Sequence, residues 1–164
     1  MDSIDKFNKL SKAEFISIFG NIFEKTEWIA ERCYESKPYN NLDELVSKMM
    51  EIFENIEKER HLKILNSHPD LAVEKKLTED SKNEQKNASL NQCTDEEFVE
   101  FKKLNEEYKK KFTFPFIIAV KGKNKEEILN NFRQRLTNNI NLEFEEAKKQ
   151  AKKIASFRLS EIIK

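Results

Sequence analysis

Apolar residues recur along this chain at steps of three and four positions, the spacing that places them on one face of an α-helix. A Ser, Thr or Asn with Glu three residues later, the pattern of a helix start, opens several of these stretches. These pairs are Ser11 and Glu14, Asn41 and Glu44, Thr94 and Glu97, and Asn124 and Glu127. The pattern predicts an all-α fold of about seven to nine helices. We expect them to form a single domain over residues 1–164.

Several apolar sets define the predicted helix faces. Phe15, Ile18, Phe19, Ile22 and Phe23 follow the first start signal, and "TEWIAERCY" continues the helical pattern. The later sets are Leu42, Leu45, Met49, Phe53 and Ile56; Phe98, Phe101, Leu104 and Tyr108; and Ile128, Leu129, Phe132 and Leu136. A last helix is expected from about residue 142 to the end.

Residues 114–120, which read FPFIIAV, break the helical pattern. The segment is aromatic and β-branched and carries a proline, so we predict that it is extended or loop-like, and buried. Its backbone N–H and C=O groups then lack intrahelical partners and must bond elsewhere. A polar planar ligand, such as a ureide or a purine-derived ring, could form hydrogen bonds with both kinds of group. Another extended segment or polar side chains would do so equally well.

His68 lies in the stretch "LNSHPDLAVEKKL". Pro69 disfavours helical geometry at the residue before it, so a helix that starts near residue 57 should end at His68. The chain is expected to re-enter helix within "PDLAVEKKL". A histidine here is suited to acid–base catalysis near neutral pH, yet it would also serve as an ordinary helix C-terminal residue.

Two further features are candidates for chemistry. Ser81 and Glu84 are spaced as a capping box, but Glu84 could instead polarise an imidazole and Gln85 could bind a polar substrate. Arg158 continues the apolar stripe Ala147, Ala151 and Ile154. A core-facing arginine needs a carboxylate from the protein or from a ligand, unless it extends its charge to solvent.

Composition narrows the function classes. The 30 basic residues equal the 30 acidic ones, which argues against a nucleic-acid or membrane-surface binder. With 2 glycines, a phosphate-binding loop is effectively excluded. The two histidines and two cysteines show no metal-site spacing, so no metal is expected. No signal peptide, membrane-length apolar run or peroxisomal C-terminal tripeptide is found, and the expected location is the cytoplasm.

Five motifs occur in order along the chain: "HPDLA", "LTEDSKNEQ", "EFKKLNEEYKKKFTFPFIIAVKGK", "FRQRLTNN" and "KIASFRL". In this order and spacing they resemble the family of 2-oxo-4-hydroxy-4-carboxy-5-ureidoimidazoline (OHCU) decarboxylases. The upstream "IFEKTEWIAERCYESKPYNNLDEL" is similar to the N-terminal helices of that family.

The resemblance implies an all-α, cofactor-free and homodimeric enzyme that decarboxylates OHCU to (S)-allantoin in urate degradation. By motif, it assigns acid–base chemistry to His68, polarisation of that histidine to Glu84 and substrate anchoring to Arg158. It also implies a substrate pocket lined by Pro69, Ser81, Gln85 and the backbone of Phe116, Ile117, Ile118, Ala119 and Val120.

The chain departs from the family pattern beside this expected pocket. Asn87 and Ser89 replace small residues, and Thr113 stands where a glycine commonly precedes "FPF". A helical scaffold of the same family that has lost activity is therefore an alternative. A J-domain-like module, which also carries "HPD", is a poorer match: its preceding helix is basic, whereas "FENIEKERHLKIL" is mixed in charge.

Overall fold

The structure, a computed structural model, describes residues 3–72, 78–88, 90 and 93–163. These residues contain nine α-helices and no β-strand, which confirms the all-α prediction. The helices are α1 (Ser3–Asn8), α2 (Lys12–Phe19), α3 (Glu27–Glu35), α4 (Leu42–Glu54), α5 (Lys58–Ser67), α6 (Glu79–Asn87), α7 (Asp95–Phe112), α8 (Lys125–Arg135) and α9 (Ile140–Ile162). None of them, over the described residues, has the length and apolar character of a membrane-spanning helix.

The predicted start signals are found at four helix N-termini. Ser11, Thr94 and Asn124 form reciprocal capping boxes with the glutamate three residues later. Asn41 accepts a hydrogen bond from the backbone N–H of Glu44. Local hydrogen bonding therefore fixes where α2, α4, α7 and α8 begin.

The chain packs as two compact units, the first of Met1–Ile64 with Lys152–Lys164 and the second of Leu65–Ala151. The division falls inside α5 and inside α9. A division by packing does not establish that either unit folds alone, so the single domain over residues 1–164 stays a prediction.

The core of the first unit is aromatic. The rings of Phe23 and Phe53 stack with their centroids 4.4 Å apart, and His61 packs edge-on against Phe53 at 4.9 Å. The His61 Nε2 atom lies 2.6 Å from the backbone oxygen of Phe53, so this histidine is built into the core.

The second unit has its core around Tyr108, which is fully buried on α7. Four phenylalanine rings lie within 6 Å of the Tyr108 ring: Phe112, Phe114, Phe116 and Phe132. Two of these, Phe114 and Phe116, belong to the FPFIIAV segment. Residues 115–120 are neither helix nor strand and are buried, as predicted.

Two details of the helix prediction are wrong. The apolar run from Phe15 to Phe23 is interrupted, because α2 ends at Phe19 and α3 begins at Glu27. Gly20 sits at this end, where a Cβ would lie 2.5 Å from the backbone oxygen of Ile16. Phe98, predicted to face inward, is 36% exposed, because the buried face of α7 runs through Phe101, Leu104 and Tyr108.

Candidate functional site

His68 lies directly after α5, as predicted. Its backbone N–H donates to the carbonyl of Leu65 over 3.2 Å, and the residue is 8% exposed. Pro69 follows and ends the helical geometry. A short turn then leads through Asp70 and Leu71 to Ala72, whose φ of 55° lies in the left-handed region. The predicted return to helix involves residues 73–77, which lie outside the described residues.

Gln85 on α6 holds this turn through both ends of its side-chain amide. Its Oε1 accepts from the backbone N–H of Ala72 over 3.0 Å, and its Nε2 donates to the backbone oxygen of Asp70 over 3.3 Å. Gln85 is buried, so these bonds are shielded from water. Gln85 was expected to bind substrate; in this structure its amide fixes the backbone that follows His68.

Helix α7 supplies two more contacts to the turn that the sequence did not identify. The Nδ2 atom of Asn105 donates to the carbonyl of Leu71 over 3.0 Å, and Lys109 Nζ lies 2.7 Å from Asp70 Oδ2. Asn105 is 3% exposed, and its Oδ1 has no hydrogen-bond partner in the part of the chain that the structure describes. One feature of the sequence could have pointed to Asn105: it is a polar residue on the buried face of α7, beside Phe101, Leu104 and Tyr108.

The predicted capping box of Ser81 and Glu84 is wrong. Helix α6 begins two residues before Ser81, and its N-cap is Thr78, whose side chain accepts from the backbone N–H of Ser81 over 3.2 Å. Glu84 therefore sits inside the helix and is half-buried. Capping of α6 therefore does not account for a glutamate at this position.

The FPFIIAV segment uses side chains as partners for part of its backbone. Gln150 Oε1 accepts from the N–H of Ala119 over 3.0 Å, and Arg135 Nη1 donates to the carbonyl of Ile117 over 2.6 Å. Within the described residues, the backbone N–H and C=O groups of Phe116 and Ile118 have no hydrogen-bond partner. Since both residues are at least 95% buried, these groups call for a ligand or water.

Arg158 belongs to the first unit, whereas the other predicted site residues belong to the second. Its Nη2 lies 2.9 Å from Glu24 Oε2, and its Nη1 donates to the carbonyl of Asn21 over 2.7 Å. Both charged side chains are buried. The carboxylate partner that the sequence required for this arginine is thus present in the protein itself.

Burial also sets the chemistry of the groups that could act as nucleophiles. It raises the pKa of the Cys33 thiol to about 12 and also raises the pKa of the Cys93 thiol. Both thiols are thus protonated at neutral pH, which disfavours nucleophilic catalysis by either cysteine. Burial likewise raises the pKa of Tyr108.

The fold and this turn together define a class: an all-α protein whose candidate site holds a buried histidine at a helix end. A half-buried glutamate on α6 and a buried, partly unpaired, non-helical segment belong to the same compact unit. Residues 8–160 match the family model of OHCU decarboxylase. The chain belongs to the OHCU decarboxylase family.

Individual relatives agree with this assignment. The chain is 35% identical to the 2-oxo-4-hydroxy-4-carboxy-5-ureidoimidazoline decarboxylase of Haloferax volcanii, over 97% of this chain and 95% of that protein. It is 42% identical to the uric acid degradation bifunctional protein of Bacillus sp. (strain TB-90), over 100% of the present chain. It spans 33% of the length of that relative and 33% of a similar Bacillus subtilis protein.

Solved structures support the same fold. A crystal structure of (S)-allantoin synthase superposes with a TM-score of 0.80 at 27% identity. The matched region is 100% of this chain and 54% of the chain in that crystal structure. A crystal structure of OHCU decarboxylase in the presence of (S)-allantoin gives a TM-score of 0.74 at 23% identity, over 88% of this chain and 96% of that one.

Proposed function

We propose that this protein decarboxylates OHCU to (S)-allantoin and CO2 in urate degradation, without a cofactor. Family membership gives the reaction class. The observation that carries the proposal is the buried FPFIIAV segment, whose Phe116 and Ile118 backbone groups are unpaired among the described residues. Donors and acceptors in alternation suit a planar ureide ring, which presents both kinds of group.

The chemistry needs an electron sink and three proton movements. When the bond from C4 to the carboxylate breaks, its electron pair forms a C4–C5 double bond, and the ring C=N pair moves onto nitrogen, which takes up a proton. The 4-hydroxyl of the resulting enol then loses its proton and becomes a carbonyl, while C5 gains a proton. The face on which C5 is protonated sets the S configuration.

We assign the proton movements to His68 and the polarisation of its imidazole to Glu84. An imidazole gives and takes protons near neutral pH, and a carboxylate beside it favours its charged form. The bonds from Gln85 to Ala72 and Asp70 support this assignment, since they restrain the backbone next to His68. Substrate anchoring by Arg158 remains a prediction. The same applies to substrate contacts by Pro69, Ser81 and Gln85.

The direct test is to generate OHCU freshly and to follow chiral allantoin by circular dichroism. We expect the protein to accelerate the appearance of the (S)-allantoin signal well beyond the spontaneous rate. A rate equal to that of the buffer alone would refute the enzyme assignment. It would favour the alternative of a scaffold that has lost activity, for which the departures at Asn87, Ser89 and Thr113 are the motivation.

The residue assignment is tested by His68→Ala and Glu84→Gln. General acid–base catalysis contributes about 10²–10⁴-fold, so His68→Ala should lower kcat by at least about 100-fold. Glu84→Gln should lower kcat less and shift the pH profile. Because Glu84 lies inside α6 and not at its start, Glu84→Gln should keep the wild-type helical signal. A folded His68→Ala protein with full turnover would show that the acid–base residue lies elsewhere.

We further propose that the protein is a homodimer in the cytoplasm. The family resemblance supports the dimer. Sedimentation velocity over a range of concentrations tests the assembly: the expected species has twice the mass of the chain, and a single species of chain mass would contradict it.

A further inference from the structure

We propose that Arg135, Glu143 and Gln150 are positioning residues, which clamp one edge of residues 116–120 so that the opposite edge binds the substrate ring. The inference rests on the proposed function and deepens it. It concerns side chains of α8 and α9 to which the family resemblance assigned no role.

The hydrogen bonds alternate along residues 116–119, and the Val120 carbonyl accepts from the backbone N–H of Lys123 over 3.0 Å. Ile117 is bonded through its C=O, and Ala119 is bonded through its N–H. The backbone groups of Phe116 and Ile118 have no hydrogen-bond partner among the described residues. In an extended chain the N–H and C=O of one residue point to the same edge, and the next residue points to the other edge. With residues 116–119 extended, as the sequence predicts, Ile117 and Ala119 share the clamped edge, and Phe116 and Ile118 share the other.

Arg135 clamps the segment in two ways. Its Nη1 donates to the Ile117 carbonyl over 2.6 Å, and its guanidinium carbon lies 4.4 Å from the centroid of the Phe116 ring. The Phe116 ring also stacks on Phe132 at a centroid distance of 3.9 Å. The guanidinium thus fixes both a backbone oxygen and a neighbouring side chain of the same segment.

Glu143 holds the guanidinium in place. Its Oε1 accepts from Arg135 Nε over 2.6 Å and lies 2.5 Å from Arg135 Nη2, although Nη2 makes no hydrogen bond of good geometry within the described residues. Tyr108 Oη donates to the same Oε1 over 2.6 Å, and Asn138 Nδ2 donates to Oε2 over 3.0 Å. The carboxylate is fully buried, so this geometry has little freedom.

Gln150 provides the second restraint on the segment. It lies on α9, one turn after Glu146. Its Nε2 donates to Glu146 Oε1 over 2.9 Å, and this bond orients Oε1 toward the N–H of Ala119. Gln150 is 8% exposed. The segment is thus held at two residues on one edge, one on each side of Ile118.

A substrate that bonds to the free edge would lose affinity when the clamped edge becomes mobile. Gln150→Met removes the acceptor for Ala119 and keeps the side-chain length. Arg135→Met with Glu143→Gln removes the donor to Ile117 without leaving a buried charge unpaired, which a single Arg135→Met substitution would do. The amide introduced by Glu143→Gln would still accept hydrogen bonds through its oxygen. Arg133→Met is the matched control, since Arg133 lies on the same helix and pairs with Glu100 at the exposed surface.

We expect Gln150→Met and the double variant each to raise KM for OHCU, and Kd for (S)-allantoin, by about tenfold. The kcat per folded molecule should change by less than about threefold, since His68 and Glu84 are untouched. Amide exchange at Ala119 should become faster in Gln150→Met, because its N–H loses the Gln150 acceptor. Arg133→Met should match the wild type.

The outcomes separate the two proposals. An active wild type whose folded variants keep KM and Kd, or lose rate only in proportion to their unfolded fraction, would overturn the positioning role alone. A wild type that does not accelerate OHCU decay would overturn the proposed function and this inference with it.

Discussion

Among the residues that the structure describes, three non-glycine residues adopt left-handed backbone conformations: Lys25, Ala72 and Thr113. Thr113 is the most costly of these, because it is β-branched and its φ is 68°. It follows α7, and its N–H donates to the carbonyl of Lys109 over 2.9 Å. Helices commonly end with a glycine in this conformation, which gives a physical reason for the glycine expected there from the family pattern.

Replacing Thr113 by glycine should therefore stabilise the protein. A left-handed conformation costs a residue with a Cβ about 1–2 kcal/mol, and the larger unfolded-state entropy of glycine offsets part of this gain. We expect a net increase in the free energy of unfolding of about 0.5–1 kcal/mol, measured by urea denaturation. Thr113→Ala is the control: it keeps the Cβ and should gain less. A Thr113→Gly midpoint at or below the wild-type value would contradict the argument.

Arg158 forms a buried ion pair with Glu24 and is also predicted to anchor the substrate. Variants of both partners can separate the structural role from the substrate-binding role. Arg158→Met alone leaves a buried carboxylate without its guanidinium and should destabilise the fold by about 3–5 kcal/mol. Glu24→Leu combined with Arg158→Met removes both charges and should recover most of that loss.

The recovered double variant then tests substrate anchoring. If Arg158 anchors the substrate, the folded double variant should show a KM for OHCU raised at least about tenfold in the circular dichroism assay, since a charge-assisted bond is lost. Full activity would show that Arg158 has a structural role, through its bonds to Glu24 and to the Asn21 carbonyl.

The turn after His68 depends on two neighbouring helices, because α6 contributes Gln85 and α7 contributes Asn105 and Lys109. Gln85→Leu leaves the Ala72 N–H and the Asp70 carbonyl without their partner. A buried unpaired polar group costs about 1–3 kcal/mol, so we expect a loss of stability of roughly 2 kcal/mol. We also expect a lower kcat, because the backbone beside His68 is less restrained.

A control variant checks this prediction. Lys82→Leu, on the exposed side of the same helix, should leave both the urea midpoint and kcat close to wild type. A Gln85→Leu protein with unchanged kcat would show that the turn does not control the position of His68.

Helix starts were predictable because their hydrogen bonds join residues three positions apart. This locality also explains the error at Ser81: Thr78 and Ser81, like Ser81 and Glu84, are three apart, and only the fold shows that Thr78 is the cap. The partners of Arg158 and Arg135 were not predictable. Glu24 lies far from Arg158 in the sequence, and Arg135 bonds a carbonyl in another element. No local pattern encodes such contacts.

The chain has 30 acidic and 30 basic residues, so general charge repulsion is small at neutral pH, and specific carboxylates govern its behaviour in acid. Backbone hydrogen bonds at helix starts lower the pKa of Glu14, Glu44 and Glu97 from the ordinary value of 4.5. These residues belong to three different helices, α2, α4 and α7. Their acid titration therefore acts on both compact units of the chain.

The sign of the resulting pH dependence follows from linkage. A carboxyl group whose pKa is lower in the folded state stabilises the protein at any pH above its unfolded pKa of about 4.5. That contribution is lost as the pH falls through the folded value, because the unfolded chain binds protons first. We expect the contribution of these three carboxylates to the urea midpoint to be constant from pH 7 to pH 5 and to decline below about pH 4.5.

Replacing Glu14, Glu44 and Glu97 together by Gln should make this decline shallower, since glutamine does not titrate. Some stability at pH 7 should be lost, because a neutral amide is a weaker acceptor for the capping N–H groups. The matched control replaces Glu59, Glu106 and Glu145, which changes the net charge equally. If the control flattened the acid decline as much as the capping variant does, net charge and not helix capping would determine the stability of this protein in acid.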